Sequence, residues 1–236
     1  MVRAFALLAA LCGAAAPAQA ACRLALLIGL DISSSVDARE DALQRAGMAA
    51  ALRAPDVQKA LLTPQGASVA LAIYEWSGRY KQVVVVDWRV LDSVQAINAV
   101  ASQVETSRRT LRGDPTAIGH SLDFADQMFA DAPRCDFQTL DLTSDGVNND
   151  GYGPAVAYRR GVLAETTVNV LAVGGSTTDD QTLYDFHIDK VLRGPGSFIE
   201  IARDYSDFAR AMHKKLYREV ELQVFGNTTI QAPKGG

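Results

Sequence analysis

Short apolar runs alternate along the chain with stretches whose apolar residues recur every three or four positions, and this alternation sets the expected architecture. Residues 24–30 are apolar on both faces, so they predict a central buried strand that ends at Asp31. Further strands are expected at 67–74, 82–90, 137–143, 167–173 and 198–202. Helical periodicity covers 37–52, 92–104, 117–129, 154 to about 164, 179–190 and 205–220, with Pro55 marking a break before a shorter helical turn. The connection around Gly78 is short, which predicts that the third strand runs antiparallel at an edge. The remaining strands are separated by helices, as parallel crossovers require. The expectation is a doubly wound α/β fold: a mostly parallel six-stranded sheet with helices on both faces and one antiparallel edge strand. No repeat, low-complexity block or linker divides residues 22–225, which are expected to form one domain, with 226–236 a loose tail of turn composition.

Residues 1–20 break the pattern. Arg3 gives a positive start, residues 4–16 carry no charge, and Pro17 with Ala18-Gln19-Ala20 supplies a helix break and a small-x-small motif. This predicts an export signal cleaved near Ala20, and hence a periplasmic or secreted protein. The run is shorter than the roughly 20 residues that span a bilayer, and a retained N-terminal anchor is the alternative. Gln19 and Ala20 stand where a lipoprotein signal would carry a bulky apolar residue, which argues against lipidation at Cys22. No later segment is long and apolar enough to form a membrane span.

Export changes the reading of the cysteines. Cys12 falls within the signal, leaving Cys22 and Cys135, an even pair that predicts a disulfide in an oxidising compartment. Both precede an acidic strand tip by a similar interval, so adjacent parallel strands would bring them to the same sheet edge; two buried thiols are the alternative. The formal charge is −4, or about −5 without Arg3, and this mild acidity argues against nucleic acid or an anionic membrane as main partner.

The candidate chemistry begins at Asp31-Ile32-Ser33-Ser34-Ser35, between the central strand and the first helix. Open parallel sheets place ligands at the carboxyl ends of their strands, and here one carboxylate and two hydroxyls can converge beside a helix start. Such oxygens are hard ligands suited to Mg2+ or Mn2+, although serines before a helix also serve as simple caps. Gly113-Asp114-Pro115-Thr116 adds a hydroxyl in a second loop, and Ser144-Asp145-Gly146 a second acid at the tip of the fourth strand.

With these residues the chain resembles a von Willebrand factor type A domain, whose metal-ion-dependent adhesion site uses D-x-S-x-S, a loop threonine and a later aspartate. The resemblance covers nearly all of residues 22–225 and maps the site onto Asp31, Ser33, Ser35, Thr116 and Asp145. It implies that Ser33, Ser35 and Thr116 touch the metal, that one or both aspartates act through water, and that engagement can couple to the last helix. The stretch 191–198, followed by Lys215-Leu216 and Glu219-Val220, is similar to a narrower exported bacterial branch known as a domain of unknown function. The function expected is metal-dependent binding of a protein partner that presents Asp, Glu or a C-terminal carboxylate, without catalysis.

Two other readings stand beside it. Gly119-His120-Ser121-Leu122-Asp123 approximates the G-x-S-x-G turn of a serine hydrolase using Ser121, but Asp123 replaces the last glycine and no apolar strand leads into it. A metal-stabilised structural domain without ligand is the other. His187 and His213 lack partners at metal spacing, and no G-x-G-x-x-G or G-K-[ST] motif supports a nucleotide. Asp141 is an unexplained acid inside an expected central strand. Loops at 76–80, 147–152 and 174–180 should rim the metal edge, with Trp76 and Tyr80 as candidate aromatic anchors.

Overall fold

The computed structural model describes residues 21–110, 113–174 and 178–225; the expected signal and its cleavage point, the tail, and part of the 174–180 loop lie outside the described residues. Six strands form one sheet: β1 (Ala21–Asp31), β2 (Ala67–Trp76), β3 (Gln82–Leu91), β4 (Cys135–Ser144), β5 (Thr167–Val173) and β6 (Ile199–Ala202). Their order is β3-β2-β1-β4-β5-β6, with all pairs parallel except β2–β3. The doubly wound sheet with a single antiparallel edge strand is therefore as expected. β1 lies between β2 and β4, and successive connections leave it in opposite directions, which opens a crevice at the carboxyl ends of β1 and β4.

Alternate residues of β1 feed two cores. Leu24, Leu26, Ile28 and Leu30 pack beneath α1 (Ala38–Arg53), α2 (Pro55–Leu61), α3 (Val94–Thr106) and α7 (Phe208–Phe225), while Ala25 and Leu27 face α4 (Ile118–Ala130) and α5 (Pro154–Arg159). Every one of those six side chains is fully buried, which is why β1 reads as a continuous apolar run. Helix α1 starts in a capping box, Asp37 accepting from the Arg39 and Glu40 amides while Glu40 reaches back to the Asp37 amide. A Cβ on Gly47 would stand 2.8 Å from a Phe208 ring carbon, so this glycine sets the close approach of α1 and α7.

The structure revises several boundaries. The helix expected from 154 to about 164 stops after α5, where Gly161 takes a φ of 86° and Leu163 one of 54°, ending the helix in turns. The helix expected over 179–190 is α6 (Thr178–Phe186) and continues as a π-helical turn, His187–Val191. The last helix is entered through a 3₁₀ turn at Tyr205–Asp207 capped by Asp204, and α7 then runs from Phe208.

Cys22 and Cys135 stand opposite each other in the β1–β4 register and are joined by a disulfide, with Cα atoms 4.4 Å apart. Asp141, the unexplained acid of β4, lies under α7: Lys215 Nζ is 2.5 Å from its Oδ1 and 2.8 Å from Glu219 Oε1. Asn169 donates to Glu219 and accepts from the Phe198 amide, completing a buried polar layer between sheet and helix. Burial pushes the Asp141 carboxyl up to about 7 despite the neighbouring ammonium.

Candidate metal centre

Asp31 is the last residue of β1 and is fully buried. Its Oδ1 accepts from the Ser33 amide at 2.8 Å and its Oδ2 from Ser144 Oγ at 3.1 Å. The backbone around it is fixed from the α1 side. Thr143 Oγ1 accepts from the Asp31 amide at 2.9 Å, Gln44 Nε2 donates to the Asp31 carbonyl at 2.9 Å, and Thr143 Oγ1 donates to Gln44 Oε1 at 2.7 Å. The chain then turns so that Ser33 and Ser35 Oγ atoms come within 3.1 Å of each other, and Ser35 Oγ donates to Asp145 Oδ1 at 2.6 Å.

Thr116 enters from the loop before α4. Its amide donates to Asn149 Oδ1 at 2.8 Å and its carbonyl accepts from the Asn149 and Asp150 amides. The Ser34 amide donates to the Asp114 carbonyl at 2.8 Å, which ties this loop to the first. A Cβ on Gly146 would lie 3.4 Å from Thr116 Oγ1, so the threonine hydroxyl sits against the residue that follows Asp145. Gly119 makes a second close fit, since a Cβ there would come within 2.1 Å of the Tyr152 carbonyl. All five residues singled out in the sequence are thus brought together by one chain of contacts across three loops.

The charges in this cluster are uncompensated. Burial, then the Asp145 carboxylate, pushes Asp31 up to about 7, against the hydrogen bonds from Ser33 and Ser144. Asp145 is also raised, chiefly by burial, although Ser35 and the Tyr205 phenol pull the other way. Among the described residues no Lys or Arg is ion-paired to either acid, and no three His, Cys, Asp or Glu side chains converge on one point. A cation here would therefore take hydroxyl as well as carboxylate oxygens, the donor set of a hard divalent ion.

Sequence reasoning missed the support of this loop. Arg109, from the polar stretch after α3, donates to the carbonyls of Ile32, Ser33 and Val36, holding the D-x-S-x-S turn from outside. That stretch is itself anchored below. Arg45, buried with Asp41 and Glu75, is bonded to both and to Ser107, and Glu75 at the end of β2 accepts from Thr110. The basic composition of 107–112 was the available signal, but nothing local says which carbonyls an arginine will meet.

Two candidates move. Trp76 is fully buried as the last residue of β2 and cannot anchor a partner, whereas Tyr80 is 82% exposed. β2 runs two residues past its expected end, and Trp76 follows Tyr74 onto the same inward face. Ser121 is fully buried in α4 with its hydroxyl 2.9 Å from Tyr74 Oη, so it is not presented on a strained turn at a cleft. His187 is buried in the π-helical turn and His213 pairs with Asp56 at 2.9 Å, both away from the centre.

Comparison with solved structures finds the same fold in proteins of distant sequence. Proximal thread matrix protein 1 from the mussel byssus is 14% identical, with a TM-score of 0.59 over 86% of this chain and 47% of that one; a further structure of it has a zinc-occupied metal-ion-dependent adhesion site motif. A von Willebrand factor type A protein from Catenulispora acidiphila is 20% identical, with a TM-score of 0.56 over 85% of this chain and 43% of that one. The pilus adhesin SpaC from Lactobacillus rhamnosus GG is 14% identical, with a TM-score of 0.59 over 87% and 31%. The chain spans less than half the length of each of these three. No curated protein matches it in sequence. The chain folds as a von Willebrand factor type A domain and, by a match over residues 21–224, belongs to the family described as Protein of unknown function (DUF1194).

Proposed function

We propose that this protein is an exported binding module which holds one divalent cation, Mg2+ or Mn2+, on Asp31, Ser33, Ser35, Thr116 and Asp145, and through it a carboxylate of a protein partner. The observation that carries the reading is the convergence of three hydroxyls and two carboxylates with, among the described residues, no basic side chain paired to either acid. Two like charges kept this close are relieved by a cation between them. Neutral hydroxyls in its inner shell leave the ion electron-poor, so it favours an anionic oxygen from outside, and Mg2+ retains exchangeable waters where that oxygen can enter. The zinc-occupied motif of the mussel protein supports a divalent ion in this fold. The pilus adhesin supports a protein partner. The disulfide fits an oxidising compartment, and no described helix is long and apolar enough to cross a membrane.

Calorimetric titration of Mg2+ and Mn2+ into metal-stripped protein tests the first step. One saturable site is expected, lost in Asp31→Ala and in Thr116→Ala while both variants stay folded by circular dichroism. A folded wild type that binds neither ion would sink the proposal. Export is tested by fractionation: the cleaved, oxidised protein should be found outside the cytoplasm.

A further inference from the structure

The wall of the metal loop that faces away from the five site residues borders a groove not yet assigned. It has a volume of about 560 Å³ and runs between α1 and residues 105–109, lined by Ser34, Val36, Ala42, Ala46, Glu105 and Arg108 among others. Ser34 stands between the two serines whose hydroxyls meet at the centre, so the groove begins one residue from the proposed metal position. Its floor is small and apolar, with Ala42 and Ala46 one helical turn apart on the exposed side of α1.

Five charged side chains line it, and four are already engaged. Asp41 and Arg45 hold each other at 3.0 Å, Glu105 is bonded to Arg53 at 2.8 Å, and Arg109 is spread over the loop carbonyls. Arg108 is exposed and has no ion-pair partner among the described residues. Among the described residues the groove thus offers one unpaired positive charge, Arg108, above a floor of small apolar side chains, in a protein that is acidic overall.

We propose that this groove takes the polypeptide flanking the partner's metal-bound carboxylate and selects a second acidic residue, which pairs with Arg108. The inference rests on the metal-binding reading and specifies its partner. An extended peptide advances about 3.3 Å per residue, so the second acid falls within a few positions of the first. A basic flank would meet Arg108 as a like charge, and an anionic membrane would call for a cluster of unpaired basic residues where the described lining has Arg108 alone.

The test uses an array of synthetic octapeptides with one fixed Asp and a Glu, Ala or Lys scanned through the other positions, probed with the full mature chain in Mg2+ and in EDTA. Wild type should bind in Mg2+ alone and favour peptides with a second acid at one or two positions by about two- to fivefold, the range of an exposed charge pair. Arg108→Glu should keep the Mg2+ dependence and shift the preference to Lys at the same positions. Mg2+-dependent binding that ignores the second acid, or is unchanged by Arg108→Glu, would overturn the groove assignment and leave the metal reading intact. Second-acid selection that survives EDTA would overturn the metal reading instead, and binding of no peptide under either condition would overturn the inference.

Discussion

Single side chains decide whether the D-x-S-x-S loop, the proposed metal loop, keeps its shape. Arg109 donates to three carbonyls of the 32–36 turn, so it holds the backbone that carries Ser33 and Ser35. Arg109→Met should weaken Mg2+ affinity by about tenfold or more, the usual effect of losing an outer support of a metal site, while the folded spectrum is retained. Titration calorimetry beside circular dichroism checks this, and an unchanged affinity would show that the turn is set by its own hydrogen bonds. Gly119 tests the neighbouring loop, because a methyl there meets the Tyr152 carbonyl. Gly119→Ala should cost about 1–3 kcal/mol in urea unfolding, as overpacking does, and displace Asn149 from Thr116. The five candidate residues could be picked out of the sequence because the D-x-S-x-S motif, the loop threonine and the acid after β4 are each local patterns. Arg109, Asn149, Gln44 and Thr143 were not, since each reaches the site only through the tertiary fold and has no fixed spacing from it.

At the scale of elements, the buried layer under α7 accounts for the acid that the strand pattern alone left unexplained. Asp141 is compatible with a central strand only because Lys215 and Glu219 arrive one helical turn apart on α7. Lys215→Met removes the cation and leaves two buried acids, which should cost about 3–5 kcal/mol; replacing Asp141 and Glu219 by apolar residues as well should recover most of that loss. Denaturant curves of the single and triple variants distinguish this from simple loss of packing. The π-helical turn after α6 holds another charge question, for burial pushes the His187 imidazole down to about 4. An unfolded histidine titrates near 6.5, so the unfolded chain takes up the proton first. The contribution is fully present above about pH 6.5, falls away between 6.5 and 4, and amounts to roughly 3 kcal/mol. His187→Leu should flatten the stability profile in that window alone, measured as wild-type minus variant free energy across pH. The helix itself was legible from periodicity, but its widening at His187–Val191 has no local marker.

For the whole molecule, the disulfide and the proposed metal centre lie at opposite ends of the same two strands, Cys22 and Cys135 at one edge and Asp31 and Asp145 at the other. Replacing both cysteines by alanine should lower stability by about 2–5 kcal/mol yet leave Mg2+ affinity unchanged, since the crosslink closes a loop far from the ligands. Calorimetry with denaturant unfolding checks both halves, and a fall in affinity would mean that the two ends are coupled. Saturating Mg2+ at a hundred times its dissociation constant should add about 2.7 kcal/mol to wild type and nothing to Asp31→Ala. The alternation of strands and helices in the sequence was enough to foresee the order of elements along the chain and a mostly parallel sheet, because crossover geometry leaves few alternatives, whereas the adjacency of β1 and β4 entered only as the condition for the cysteine pair. The crosslink also has a mechanical meaning. Stretched between residues 21 and 225, the oxidised chain cannot yield the segment between its cysteines, a sequence separation of 113, and reduction should lengthen the fully extended tether by roughly 400 Å. A partner tugging on the proposed metal end would thus load two neighbouring strands fastened together at their far tips.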